Sequence, residues 1–457
     1  MALPAIDLAL EDLDDRVLPE DDAERRLIHD EVHARPSSRI VLPAMVVYVA
    51  ALNRDVSVET EIAYLQRLLS ADASAVRLAR SMQGSDQTSV NFSCLNLQDG
   101  ITLTWERHGE FSSYAFVVPL PRLELASIDA AALFDNLPPP HWLRKIPGKT
   151  LAAIKLAMLH ADIEAEEQCL QQARRLFNGK TLVASVMGTR GHSLAVTDFT
   201  LHEDGFEHML VLAPQATTET RAGRISQRLL ELETYRLMAL KGLPLAKTLG
   251  PALWRADNEL AEITRKLEQK NASDQTLLES LIALAAMIER ATTEHIYRFS
   301  ATRAYAALVN QRITELRERP IPGTQTIGEF MQRRFSPAIA TVISTSERLN
   351  SLSERVARVS SLLRTRVDIA TEVQNQHLLE KLTRGQALQL RLQATVEGLS
   401  IAAISYYVVS LLFYLAKAGK AAGLPIHVEM TTGALIPLVI WAVWRLTREV
   451  HKKLVEH

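Results

Sequence analysis

Two short stretches hold the residue types from which chemistry could be built. The first is His29-Asp30-Glu31-Val32-His33. Imidazoles four residues apart on one helix share a face and can bind a single metal ion, so His29 and His33 are the candidate metal ligands. His108 and His192 are the histidines that could join them. The bland reading is a polar helix end stopped by Pro36. The second stretch is Trp105-Glu106-Arg107-His108-Gly109-Glu110-Phe111. On a strand, alternation sends Glu106 and His108 to one face and Trp105 and Arg107 to the other. A histidine beside carboxylates can move protons, which makes Glu106, Arg107, His108 and Glu110 the second candidate cluster. Its competing reading is a hairpin tip with cross-strand ion pairs.

Familiar motifs fail on inspection. The spacing around His29 falls short of a zinc-hydrolase signature, because Asp30 stands where the glutamate base belongs and no third ligand follows downstream. Gly148-Lys149-Thr150 and Gly179-Lys180-Thr181 look like the ends of phosphate loops, but Leu143 and Arg174 occupy the places of the first glycine. There is no GxSxG and no dinucleotide fingerprint. No enzyme class and no cofactor is implied more strongly than the two histidines suggest.

The elements that would position these residues form an α+β pattern. Residues 40–218 alternate β-rich runs with turn residues, and two passes of the same order can be traced. The first has strands at 41–52, 89–97, 101–107 and 112–118, with a helix at 57–69. The second has strands at 151–159, 182–187, 193–201 and 206–212, with a helix at 163–177. A duplicated β-α-β-β-β unit, 41–118 and 150–212, is therefore expected. Residues 1–39 are read as an N-terminal segment with one short helix. Residues 219–396 become long helices, with Leu349, Leu352, Val356, Val359 and Leu363 at coiled-coil spacing and Ala370 and Val373 continuing it. Pro320-Ile321-Pro322-Gly323 is a turn that folds one long helix against the next, giving an antiparallel stalk.

At the C-terminal end, Leu399–Leu415 is free of charge, and Met430–Trp444 is a second apolar stretch with Trp441 and Trp444 near one end. These predict a transmembrane hairpin over 397–446, followed by a tail at 447–457. Lys381, Arg384 and Arg391 precede it and Arg445, Arg448, Lys452 and Lys453 follow, whereas the connection holds Lys417 and Lys420. The basic bias places both termini in the cytoplasm. The start, MALPAIDLALEDLDD, lacks the basic and apolar regions of a signal peptide. Lys plus Arg (51) nearly balance Asp plus Glu (53), which argues against nucleic acid as a partner. Two cysteines, Cys94 and Cys169, are too few and too far apart for a disulfide framework.

Five separated segments, HDEVHARP at 29–36, WERHGEF at 105–111, RLLELETYRLMAL at 228–240, LLRTRVDIATEVQNQ at 362–376 and LQATVEGLSIAAISYY at 392–407, resemble a bacterial family of membrane-anchored proteins known as domain of unknown function 3422. The resemblance implies a C-terminal membrane anchor and brings no activity or site. The layout alone, an α/β domain, a stalk and two terminal spans, is similar to CorA-type magnesium channels. That family's Gly-Met-Asn signature is replaced here by Ala416-Lys417-Ala418-Gly419-Lys420.

Three functional readings follow. The first is a membrane-anchored homo-oligomer that holds partners through its α/β region and stalk. The second is an ion-transport protein lined by Ser400, Ser405, Tyr406 and Tyr407. The third is a metal enzyme in which His29, Glu31, His33, Glu106 and His108 converge.

Overall fold

The computed structural model describes residues 22, 24–25, 38–70, 91–121, 129–269, 272–421 and 427–455. The short N-terminal helix expected around His29 and His33 lies outside the described residues. The chain divides into two compact units, residues 1–265 with 279–357 and residues 266–278 with 358–457.

The first unit is built on one sheet. Its strands are β1 (Ala44–Leu52), β2 (Phe92–Asn96), β3 (Thr102–Arg107), β4 (Phe111–Pro119), β5 (Lys149–His160), β6 (Val183–Met187), β7 (Ser193–Leu201), β8 (Glu207–Ala213) and β9 (Arg319–Pro320). They lie in the order β2-β3-β4-β1-β5-β8-β7-β6-β9. Both passes thus share one sheet and meet at the antiparallel pair β1 and β5. The two passes occupy matching places in the strand order but differ in polarity. β4 runs antiparallel to β1, whereas β8 runs parallel to β5. No single rotation can superpose both sets of four strands. The closing hairpins are equivalent all the same. His108 donates its backbone N–H to Phe111 (2.8 Å) and His202 donates to Phe206 (2.9 Å). A register shift between Thr197 and Leu201 absorbs two extra residues of β7, since Thr197 faces Met209 and Leu201 faces Glu207.

Helices cover both faces. On one lie α1 (Val58–Ser70), α2 (Ala130–Phe134), α3 (Pro140–Arg144) and α4 (Glu166–Leu176). Leu65 and Phe116 are fully buried in this layer, and each such burial stabilises by about 1.5–3 kcal/mol. The other face is covered by α5 (Glu219–Leu240), with parts of α7 (Asp274–Leu316) and α8 (Ile327–Ala421). Thr218 caps α5 by accepting from the Arg221 amide, and Thr326 with Glu329 forms a capping box at the start of α8. The Pro320 segment, expected only as a turn, also pairs its first residues with β6 and closes one sheet edge.

α6 (Gly242–Gln269) has Pro244 in its first turn, where no intrahelical N–H is needed. Gly242 is required there, because a Cβ would lie 2.4 Å from the Thr302 hydroxyl oxygen. The predicted coiled-coil residues Leu349, Leu352 and Val356 are buried within this unit. Asp257 of α6 pairs with Arg348 and Arg355 of α8, and Arg303 of α7 donates to Ser346. This part of the seam is therefore consumed inside a single chain.

In the second unit, Arg366 donates to the Leu267 carbonyl (2.8 Å) and pairs with Asp274. Every residue from 368 to 396 of α8 is exposed. Further on, α8 lies beside α9 (Val428–Val455). Ile401, Ser405 and Val409 share a crevice there with Ile436 and Ile440. Both helices are long and apolar enough to cross a membrane. α8 continues to Ala421, so the connection starts later than the sequence suggested.

Candidate functional site

The Trp105–Phe111 stretch forms the end of β3 and the start of the β3–β4 hairpin, and alternation separates its side chains as the pattern requires. Arg107 turns to the α1 face. It makes a close ion pair with Glu61, whose side chain is wholly excluded from solvent, and donates to the Val56 carbonyl at 2.9 Å. Trp105 is fully buried on the same face. Glu110 makes a close ion pair with Arg298 of α7. Arg107 and Glu110 therefore hold the hairpin against its neighbours.

Glu106 and His108 face the other way, into a cavity between the sheet and α5. His108 Nε2 is 3.7 Å from Glu106 Oε1, and the imidazole stacks on Phe111 with ring centroids 4.3 Å apart. Asn53 steadies the tip by donating to the His108 carbonyl (2.9 Å) and to the Ser112 hydroxyl (3.2 Å).

The cavity, about 690 Å³ when space open to solvent is included, has a floor of β-strand side chains including Tyr48, Phe92, Thr104, Ser113 and Ala115. Its roof is a stripe of α5, Gly223, Ser226, Gln227, Leu230, Glu231, Thr234 and Tyr235, residues three or four apart that share a helix face. The roof approaches the chain entering β1 so closely at Gly223 that a Cβ would meet the Ser38 carbonyl oxygen at 1.6 Å.

Tyr48 accepts a hydrogen bond from the Thr234 hydroxyl at 3.0 Å, and burial pushes its phenol pKa upward, so it stays neutral. Glu231 is engaged by Gln227 (2.7 Å) and by Arg312 from α7 (2.5 Å). The site thus presents neutral hydroxyls, aromatic rings and carboxylates. Among the described residues, neither lysine nor arginine lines it.

The rest of the α5 face holds a charged cluster that sequence reading did not single out. Arg236 pairs with Glu233 and Glu207. Burial first, and the neighbouring Glu233 charge second, hold the Glu207 carboxyl protonated well above the ordinary carboxylate range. On the opposite face of the sheet, Lys155 of β5 is almost completely buried and pairs with Asp204 at 2.7 Å, which also meets His208 at 2.9 Å. The visible signals were Lys155 inside the apolar run LAAIKLAML and Glu233 on the apolar stripe of α5.

His29, Glu31 and His33 lie outside the described residues. Among the described residues, no group of three His, Cys, Asp or Glu side chains is placed to hold a metal. His108 and His192 are not brought together. His108 follows β3 at the end of the sheet where β1 finishes, while His192, bonded to Ser193 at 2.9 Å, lies in the β6–β7 turn at the opposite end. Of the residues considered as a pore lining, Ser405 is buried and Tyr406 and Tyr407 are exposed.

No curated protein and no solved structure matches the chain. Residues 20–454 match the model of a family described as protein of unknown function, DUF3422, and the chain belongs to that family.

Proposed function

We propose that the protein is a scaffold of the bacterial inner membrane that assembles as a homo-oligomer through the exposed part of α8 and presents its α/β unit in the cytoplasm to bind partners. The observation that carries this reading is the run 368–396, exposed throughout in the single chain although it is rich in leucine. Leu378, Leu382, Leu392, Val396 and Leu399 are 52–73% exposed. Their spacing follows one heptad seam, with Asn375 and Gln389 at polar positions of it. A lone helix with that stripe in water gains nothing from its apolar side chains. Packing against a second copy would stabilise each large side chain by about 1.5–3 kcal/mol. Polar residues in such a seam set register and copy number.

The apolar helices continue directly from this stripe. Arg445 and Arg448 stack over Trp441 and Trp444 at 5.4 and 5.0 Å, the pairing of cation and aromatic ring that suits a headgroup boundary. The basic residues on either side of the spans support cytoplasmic termini.

The test is the mass of the detergent-solubilised full chain by light scattering, with Leu382→Cys crosslinking in a Cys94→Ser, Cys169→Ser background. A defined multiple of the chain mass and an efficient Leu382→Cys crosslink are expected. A monomer that does not crosslink would overturn the proposal.

A further inference from the structure

The crevice between the two apolar helices has an unequal lining. Ile401 and Val409 of α8 and Ile436 and Ile440 of α9 give it aliphatic walls, while Gly398, Ala402 and Ser405 are small. Gly398, Ala402, Ser405 and Val409 recur at spacings of three and four, so they form one face of α8. A Cβ at Gly398 would meet nothing within 4 Å. The single chain therefore gives no steric reason for a glycine there, although glycine weakens a helix interior. Small residues at this spacing let the backbone of a further membrane helix come close.

Ser405 supplies a second, independent observation. It is 6% exposed, and its hydroxyl has no hydrogen-bond partner among the described residues. The α9 residues that line the crevice, Ile436 and Ile440, carry no polar side-chain atom. Hydrocarbon offers no water to satisfy the hydroxyl. Serine at a helix interface in a bilayer finds its partner on a neighbouring helix.

The neighbour is indicated by the exposed stripe of α8, which runs into the crevice without a break in the helix. Tyr406 lies one heptad beyond Leu399, lines the crevice and is 71% exposed, so the stripe continues onto the rim. Copies inserted in one orientation lie parallel. Two α8 helices in contact at Leu399 are still side by side at Ser405, about 9 Å further along at helical rise.

We propose that the crevice between α8 and α9 seats the α8 span of a second copy of this chain. The second span lies against Gly398, Ala402 and Ser405, and the Ser405 hydroxyl is hydrogen-bonded to it. This deepens the assembly proposed above and rests on it: the stripe brings copies together outside the bilayer, and the crevice fixes which faces meet within it.

The experiment is oxidative crosslinking of the full-length protein in its membrane, one cysteine at a time in a Cys94→Ser, Cys169→Ser background. Ala402→Cys probes the crevice face and Leu382→Cys the stripe. Leu411→Cys is the lipid-facing control, at a position 64% exposed and half a turn round the helix from Ala402. Crosslinks are expected at Leu382→Cys and Ala402→Cys and not at Leu411→Cys. Ser405→Ala should weaken self-association in detergent about threefold, the worth of one hydrogen bond between membrane helices. A crosslink at Leu382→Cys without one at Ala402→Cys would overturn the seating and leave the assembly standing, and a lipid chain found bound in that case would be the occupant. Failure at both positions would overturn both. Equal crosslinking at Leu411→Cys, or self-association unchanged in Ser405→Ala, would also overturn the seating.

Discussion

Arg107 and Glu61 form a close ion pair between β3 and α1, with the carboxylate wholly buried and the guanidinium largely so. One end of the pair is therefore never solvated. Removing either partner leaves an uncompensated charge beneath the sheet, and this asymmetry governs what substitution does.

Arg107→Met should lower the unfolding free energy by about 3–5 kcal/mol. Adding Glu61→Met to the same chain should restore much of that loss, since two apolar side chains of similar volume replace the stranded carboxylate. Denaturant unfolding of the single and double variants measures the coupling. A double variant no more stable than Arg107→Met would show that the two residues act independently.

Glu207 fixes a pH dependence of definite sign. Its folded pKa lies above the ordinary value of 4.5, through burial and then the Glu233 charge. Over the interval between those two values the native state binds more protons than the unfolded chain, so this contribution to stability is full below the ordinary value and declines as pH rises. Glu207→Gln removes the penalty. Its melting temperature should fall less than that of the unaltered protein between about pH 5 and about pH 9, with the two curves diverging toward the alkaline side.

Two glycines on adjacent helices should respond to very different degrees. Gly223→Ala drives a methyl group into the Ser38 carbonyl. It should cost about 1–3 kcal/mol or more and displace the chain entering β1. Gly250→Ala in α6 meets nothing within 4 Å. Pro251 follows it, and the proline ring opposes a Cβ on the preceding helical residue, so the gain of about 0.8–1 kcal/mol from helix propensity is offset and stability should change little. Thermal unfolding of both variants in the same detergent checks the contrast.

Leucines along α8 should separate folding from assembly. Leu352 is completely buried in the first unit, so Leu352→Ala should cost about 2–5 kcal/mol. Leu382 is 64% exposed, so Leu382→Ala should leave the fold of the single chain intact and weaken self-association. Light scattering and thermal unfolding on each variant distinguish the two effects. Equal loss of folding stability at both positions would contradict the division.

Local pattern carried most of the secondary structure. The period-two run at 193–201 ends where β7 ends, and the meander before α5 follows the predicted strands closely, because alternation and turn residues are properties of adjacent positions. The same locality made the two faces of the WERHGEF strand legible. The partners that occupy those faces, Glu61 for Arg107 and Arg298 for Glu110, are 46 and 188 residues away, and no spacing rule reaches them.

The sequence by itself determined the α+β class, the order of strands and helices, the two apolar C-terminal helices and the family. Each is written in short-range periodicity or in motifs that can be matched directly. Only the tertiary structure decided that both passes share one sheet, that β5 and β8 are parallel while β1 and β4 are not, and that Leu349–Val356 are buried within the chain. It alone brought Tyr48, Glu106 and Glu231 around one cavity. Strand polarity and helix burial depend on which distant segments pay the entropy of meeting, and that choice is made by the packing of the whole chain rather than by neighbouring residues.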